Sequence, residues 1–352
     1  MEVNTNFWFN KSVFLTGHTG FKGGWLGLWL SEMGANVFGY SLKAPTVPNF
    51  FTETKLEERL KKSIIGDVCN ATTLNSEMES AKPSIIIHMA AQPLVRESYN
   101  SPTKTFMTNV MGTINLLEAA RKIETVKVIV NVTTDKCYVN KEKSYSYFEN
   151  DRLGGYDPYS SSKACSEIAS AAYRDSFLSD KNISLATVRA GNVIGGGDWA
   201  LDRLIPDFFK ALESKETLYV RYPNAIRPWQ HVLDPLSGYL ILAQKLYEKG
   251  GEYAEAWNFG PENNDEKSVS WIIKKLSKKF PSVRWELDSQ RQPHEATLLK
   301  LDISKAKSKL GWFPRWSLET ALENTSDWYE AYKNKESMAD FSIKQINDYK
   351  RL

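Results

Sequence analysis

The sequence predicts an α/β protein, a doubly wound parallel sheet with a smaller mixed C-terminal lobe. Three observations carry this expectation. Short β-branched runs alternate with helical stretches through the first half, the pattern of strand–helix–strand crossovers. One run, "SIIIHMAA" (84–91), is apolar almost throughout, as befits a strand covered on both faces. From about residue 195 the alternation gives way to short strands, helices and aromatic-rich loops.

Taken in order, "SVFLT" (12–16) reads as the first strand and "FKGGWLGLWLSEMG" (21–34) as a helix ending at Gly34. "NVFGYS" (36–41), "SIIGD" (63–67) and residues 84–91 come next as strands. A long helix is expected near 103–122, a fifth strand at "KVIVNVT" (127–133), a helix over roughly 158–178 and a sixth strand at "SLATVRA" (184–190). The expected organisation is a nucleotide-binding domain over 8–194 and a substrate lobe over 195–335, part of which returns to the first domain. A C-terminal tail is expected over 336–352.

Composition narrows the function. The 352 residues are 42% apolar and 25% charged, an ordinary globular balance. A net charge of +3 gives no reason to expect a nucleic-acid surface. No apolar run reaches the ~18 residues of a membrane span, and the N-terminal order of residues is not that of a signal peptide. Cys69, Cys137 and Cys165 are scattered and form no CxxC pair, so a reducing cytoplasm is expected. His18, His88, His231 and His294 lie far apart, so no metal site is expected.

Directly after the first strand comes "TGHTGFKGGWL", with Gly17, Gly20 and Gly23 as GxxGxxG. At a strand-to-helix turn, glycines let the backbone approach a pyrophosphate at the helix N-terminus. Gly17, His18, Thr19, Gly20, Phe21, Lys22 and Gly23 are therefore expected at a dinucleotide, in a Rossmann-type domain. The end of the second strand reads Tyr40-Ser41-Leu42-Lys43 and lacks the acidic residue that would meet a ribose. NAD and NADP both stay open at this position.

"PYSSSKACSE" (158–167) places Tyr159 and Lys163 four apart on one helix face. An ammonium beside a phenol stabilises phenolate and is expected to lower its pKa. Such a tyrosine can take a proton from a sugar hydroxyl while hydride leaves the carbon. Thr134, at the end of the fifth strand, adds a hydroxyl. With Tyr159 and Lys163 it resembles the constellation of the short-chain dehydrogenase/reductases.

Further strings resemble the extended, nucleotide-sugar branch of that family, the NAD-dependent epimerases and dehydratases: "HMAAQ" (88–92), "NVMGTINLLEAA" (109–120), "VRAGNVIG" (188–195), "RPWQHVLDPLSGYL" (227–240) and "LDISKAKSKLGWFPRWSLETAL" (301–322). The resemblance covers essentially residues 8 to 330. It implies cofactor contacts at Ser41, Asp67, Val68, Ala90, Ala91, Gln92, Asn109, Thr133, Tyr159 and Lys163, with NAD as the cofactor. It implies sugar-nucleotide contacts at Asn192 and, through bidentate phosphate binding, at Arg227. Arg203 and Arg291 are second choices for the phosphates. His294 lies in "SQRQPHEA" (289–296), which resembles the family's nucleotide-closing loop.

Within the branch, the two residues after the threonine separate the reactions. Epimerases carry no acid–base pair there, and the dTDP-glucose 4,6-dehydratases carry Asp-Glu. Here the pair is Asp135-Lys136. With "GHTGFKGGWL" and "GGGDWALDRLIPD", this resembles the dehydratases that take CDP-glucose. The implied reaction oxidises C4 with NAD, eliminates water across C5 and C6, and returns hydride to C6. Asp135 as the acid needs a raised pKa and Lys136 as the base a depressed one; electrostatic stabilisation by Lys136 is the other reading. A 4-epimerase, or a dehydratase for another nucleotide sugar, is the alternative. The resemblance also implies a place in deoxysugar synthesis for a surface polysaccharide. Apolar faces on the helices near 103–122 and 158–178 fit a homodimer or a dimer of dimers. Trp199 and Trp229 are candidates for the pocket wall or the core.

Overall fold

A computed structural model describes residues 2–142, 145–290 and 298–351. Seven strands form the main sheet: β1 (Ser12–Thr16), β2 (Asn36–Ser41), β3 (Lys62–Ile65), β4 (Ile85–His88), β5 (Val128–Val132), β6 (Ser184–Ala190) and β7 (Ala256–Phe259). Every pairing is parallel. The order across the sheet, β7-β6-β5-β4-β1-β2-β3, has the chain wind outward from β1 to β3 and then cross back to β4. Winding reverses between β1 and β4, where strand ends part and leave a crevice.

The strands are apolar because both faces are covered. Leu15, Ile85, Ile87, Val128, Val130, Ala186 and Val188 face one buried cluster, while Phe14, Ile86, Ile129 and Leu185 face another. The alternation is the two-residue period of a strand. Helix α1 (Phe21–Glu32) is buried from Gly23 to Leu30, which explains its unbroken apolar sequence. The helix expected near 103–122 spans Pro102–Ala120 but passes through a wider π turn at Met107–Met111. Helix α2 (Pro158–Tyr173) likewise stops short of 178, and Arg174–Leu178 form a π turn.

Beyond residue 190 the chain builds short strand pairs, Leu218–Val220 with Trp285–Leu287 and Ile226–Pro228 with Glu266–Ser268. It also returns to the main sheet as β7. Helix α3 (Leu233–Lys249) is buried along most of its length. The stretch from 336 is not a loose tail. It folds as helix α4 (Met338–Lys350), with Met338, Ile346 and Tyr349 buried. Tyr349 packs edge-on against Trp29 of α1, centroids 5.8 Å apart. No helix among the described residues is long and apolar enough to cross a membrane.

Candidate active site

A cavity of about 650 Å³ opens at the carboxyl ends of the strands. One wall is the loop after β1. Gly17 has φ +81°, and a Cβ there would lie 2.9 Å from the backbone of Met89 and Ala90. A Cβ on Gly23 would lie 2.0 Å from the Gly17 carbonyl oxygen. Only glycine lets this loop lie against its own helix. The N-cap of α1 is Gly20, which offers no side-chain cap, so the first-turn N–H groups are left for an anion. Gly17, Thr19, Gly20, Phe21, Lys22, Gly23, Ser41, Asp67, Val68, Ala90, Ala91 and Thr133 all line the cavity. This cradle fits a dinucleotide. Lys43 lines it too, and the Thr19 hydroxyl lies 2.8 Å from that of Ser41.

Three residues expected at the cofactor lie behind the wall. His18 is buried, with Nε2 2.9 Å from Ser63 Oγ. Asn109 accepts from the Gln92 N–H at 2.8 Å and donates to the Gln92 carbonyl and to Ser162 Oγ. Gln92 itself donates to Thr105 Oγ1 at 2.9 Å. Asn109 and Gln92 brace the chain after β4 against α2, so they hold Ala90 and Ala91 in place.

The opposite wall carries the reactive groups. After β5, Thr134 caps a single turn, Asp135–Cys137. Its hydroxyl accepts from Lys136 N–H at 3.3 Å and donates to Asp135 Oδ1 at 3.0 Å. The turn splays the pair: Asp135 is 3% exposed, while Lys136 lines the cavity. Burial raises the Asp135 carboxyl above its usual range, although the Lys136 and Arg227 charges and the Thr134 hydroxyl pull it down.

Asp157 caps α2 by accepting from Ser160 N–H at 2.9 Å, and Pro158 opens the helix. Tyr159 and Lys163 thereby enter the same cavity. Lys163 donates to the Val132 carbonyl at 3.0 Å, and burial lowers it to about 8. The expected depression of Tyr159 is reversed in the protein alone. Burial pushes the phenol up to about 12, outweighing the Thr134 hydroxyl and the Arg203 charge. Lys22 reaches from the glycine loop across to this end. It donates to the Tyr239 hydroxyl at 3.3 Å, and burial, helped by the Lys163 and Arg203 charges, pushes it down to about 7.

On the substrate side Asn192, Arg203, Arg227 and Trp229 line the cavity. Arg203 Nη1 is 2.8 Å from Asp198 Oδ2. Arg291 and His294 fall outside the described residues. Trp199, half-buried, packs edge-on against Trp328, Tyr329 and Tyr332 at the margin of the core. The sequence reading missed Arg96, Arg221 and Tyr222, which also line the cavity. They come from loops and element ends with no motif, so no local pattern could have found them.

These features define a nucleotide-sugar-modifying member of the extended short-chain dehydrogenase/reductases. The chain matches the GDP-mannose 4,6 dehydratase family over residues 14–325, and it belongs to that family. It is 50% identical to a CDP-glucose 4,6-dehydratase of Salmonella typhimurium, over 99% of this chain and 98% of that one. Among solved structures it resembles the dTDP-glucose 4,6-dehydratase of Bacillus anthracis in complex with NAD, with a TM-score of 0.76 and 22% identity. That likeness covers 93% of this chain and 98% of the other. It also resembles a UDP-glucuronic acid 4-epimerase of Bacillus cereus, with a TM-score of 0.78 and 24% identity over 91% and 99% of the two chains. At those identities the solved structures speak for the fold.

Proposed function

We propose that the chain is a hydro-lyase that converts CDP-glucose to CDP-4-keto-6-deoxyglucose and water, with a tightly held NAD that is restored in each turnover. The observation that carries this reading is the turn after β5. It sets a buried carboxyl and a cavity-facing amine one residue apart, beside Thr134, Tyr159 and Lys163. The similarity to a CDP-glucose 4,6-dehydratase supports the choice of sugar nucleotide.

The glycine loop, with Gly17, Gly20 and Gly23, would hold NAD, and the bound cofactor would supply a two-electron acceptor for C4 and the same two electrons for C6. The chain handles the protons. Tyr159, raised to about 12 in the protein alone, must first lose its own proton, which the positive charge of bound NAD⁺ would favour; as phenolate it then accepts the proton of the C4 hydroxyl. The resulting ketone acidifies C5–H, and Lys136 takes that proton. Asp135, whose carboxyl burial raises above its usual range, gives its proton to the C6 hydroxyl, which departs as water; acid assistance of this kind contributes roughly 10²–10⁴-fold. Lys136 then returns a proton to C5. Lys163 holds the phenolate electrostatically, and Arg203 and Arg227 neutralise the diphosphate.

The test is incubation with CDP-glucose and then alkali, which turns a 4-keto-6-deoxy sugar into an ultraviolet-absorbing species. A 4-epimer formed instead, or no product, would sink the reading. Mass spectrometry of the released cofactor decides between NAD and NADP.

The reading includes a homodimer. Phe106, Met107 and Met111 on one helix and Ile168 and Phe177 on and after its neighbour α2 remain exposed, Ile168 by 58%. Apolar groups on two adjacent helices suit an isologous four-helix contact. Ile168→Asp should yield monomers in sedimentation; a parent chain that sediments as a monomer contradicts the dimer.

A further inference from the structure

The catalytic turn is held at both ends by one buried ion pair. Glu167 lies one helical turn beyond Lys163 on α2, and Arg189 is the penultimate residue of β6. Arg189 Nε meets Glu167 Oε1 at 2.9 Å and Nη2 meets Oε2 at 2.8 Å. Both side chains are 3% exposed. On one side Glu167 accepts from the hydroxyls of Thr133 and Thr187. Thr133 directly precedes Thr134. On the other side Arg189 Nη1 donates to the Tyr138 hydroxyl at 2.7 Å and to the Glu149 carbonyl at 2.9 Å. Its guanidinium lies 4.8 Å from the centroid of the Tyr138 ring. Tyr138 donates onward to Asn258 Oδ1 at 2.7 Å. Residues 133 and 138, which bracket Thr134 to Cys137, are therefore fastened to the same two charges.

A buried ion pair is a poor device for stability alone, because desolvation offsets most of its attraction. Its planar fork is a good device for fixing geometry. The two ends are also tied differently. The Thr133 end shares its anchor with α2 and so with Tyr159 and Lys163. The Tyr138 end lies on the far side of the turn, beyond Asp135 and Lys136, where its ring also stacks on Tyr147 and its backbone bridges Leu153.

We propose that Tyr138, clamped by Arg189 against Glu167, is the positioning residue that divides Asp135 and Lys136 between the buried side and the cavity wall, and so governs the elimination half of the reaction. The proposal rests on the dehydratase reading. Removing the Tyr138 hydroxyl slackens the turn beyond the acid–base pair while Thr134, Tyr159 and Lys163 stay anchored. Water loss slows and C4 oxidation does not.

The experiment compares the parent holoenzyme with Tyr138→Phe on CDP-glucose, unlabelled and deuterated at C4 or at C5. For Tyr138→Phe, kcat should fall at least about tenfold, since small misplacements of reacting groups cost up to roughly 100-fold. KM should stay put. The isotope effect from C5 should grow, that from C4 should shrink, and reduced cofactor should build up in the steady state. Arg189→Lys, which loses the fork, should slow both halves. An unchanged kcat for Tyr138→Phe overturns the proposal, as does a fall in kcat with an unchanged isotope pattern. A parent enzyme that does not turn over CDP-glucose defeats the dehydratase reading itself, and is recognised before any variant is compared.

Discussion

Gly191 measures how tightly Asp135 is packed. A Cβ at this position would lie 3.1 Å from Asp135 Oδ2 and 2.4 Å from Pro228 Cγ. Alanine there must displace Pro228, which neighbours Arg227, and crowds the Asp135 carboxylate. Gly191→Ala is expected to lower kcat roughly 10- to 100-fold, with a smaller change in KM, as read by steady-state turnover of CDP-glucose. Full activity would show that Asp135 does not need its place. At this scale the sequence was readable where partners are close in the chain: Thr134 with Asp135 and Lys136, Tyr159 with Lys163. The direction in which Tyr159 is perturbed was not readable. Desolvation depends on everything that closes over the phenol, and here, with the Asp135 and Asp157 charges acting the same way, it outweighs the Arg203 charge and the Thr134 hydroxyl.

Among the elements, α1 and the loop before it carry the cofactor end. Because a Cβ on Gly23 meets a backbone oxygen at 2.0 Å, no rotamer relieves the clash. Gly23→Ala is expected to cut the NAD that copurifies by at least about tenfold, since the loop loses its close approach to the pyrophosphate. Mass spectrometry of heat-released cofactor checks this, and a stoichiometric complement in the variant would contradict the cradle. The strand–helix alternation that located this loop came from simple periodicity. Periodicity did not reveal the π turns at Met107–Met111 and Arg174–Leu178, because one extra residue in a turn hardly alters an apolar pattern. Nor did it give His18, Asn109 and Gln92 their direction, since a motif places a residue near a ligand without fixing which way its side chain points.

Across the whole molecule, the C-terminal helix closes onto α3 through a buried carboxyl. Asp234 Oδ1 accepts from the Tyr349 hydroxyl and from Arg315 N–H, each at 2.8 Å, and burial raises this acid to about 7. An acid raised on folding binds its proton more tightly in the native state. Stability therefore falls as pH rises from the ordinary value of 3.8 towards 7. Asp234→Asn keeps an oxygen acceptor and cannot ionise. It is expected to melt on the order of 2 °C or more above the parent at pH 8, with the advantage shrinking as pH falls below about 7 and gone near the ordinary value of 3.8. Thermal scans across that range check it, and a constant difference would exclude Asp234 as the source.

The sequence alone determined the parallel α/β architecture, the glycine loop and the residues of the catalytic turn. These depend on local periodicity, on backbone freedom at a few glycines and on spacings within one turn of helix. The tertiary structure decided what local order cannot encode. It brought Arg96, Arg221 and Tyr222 to the cavity from distant parts of the chain and joined Glu167 and Arg189 behind the turn. It also docked residues 338–350 as a helix against α1. Each of those outcomes depends on which surfaces exclude water together, and that is settled only when the chain has closed.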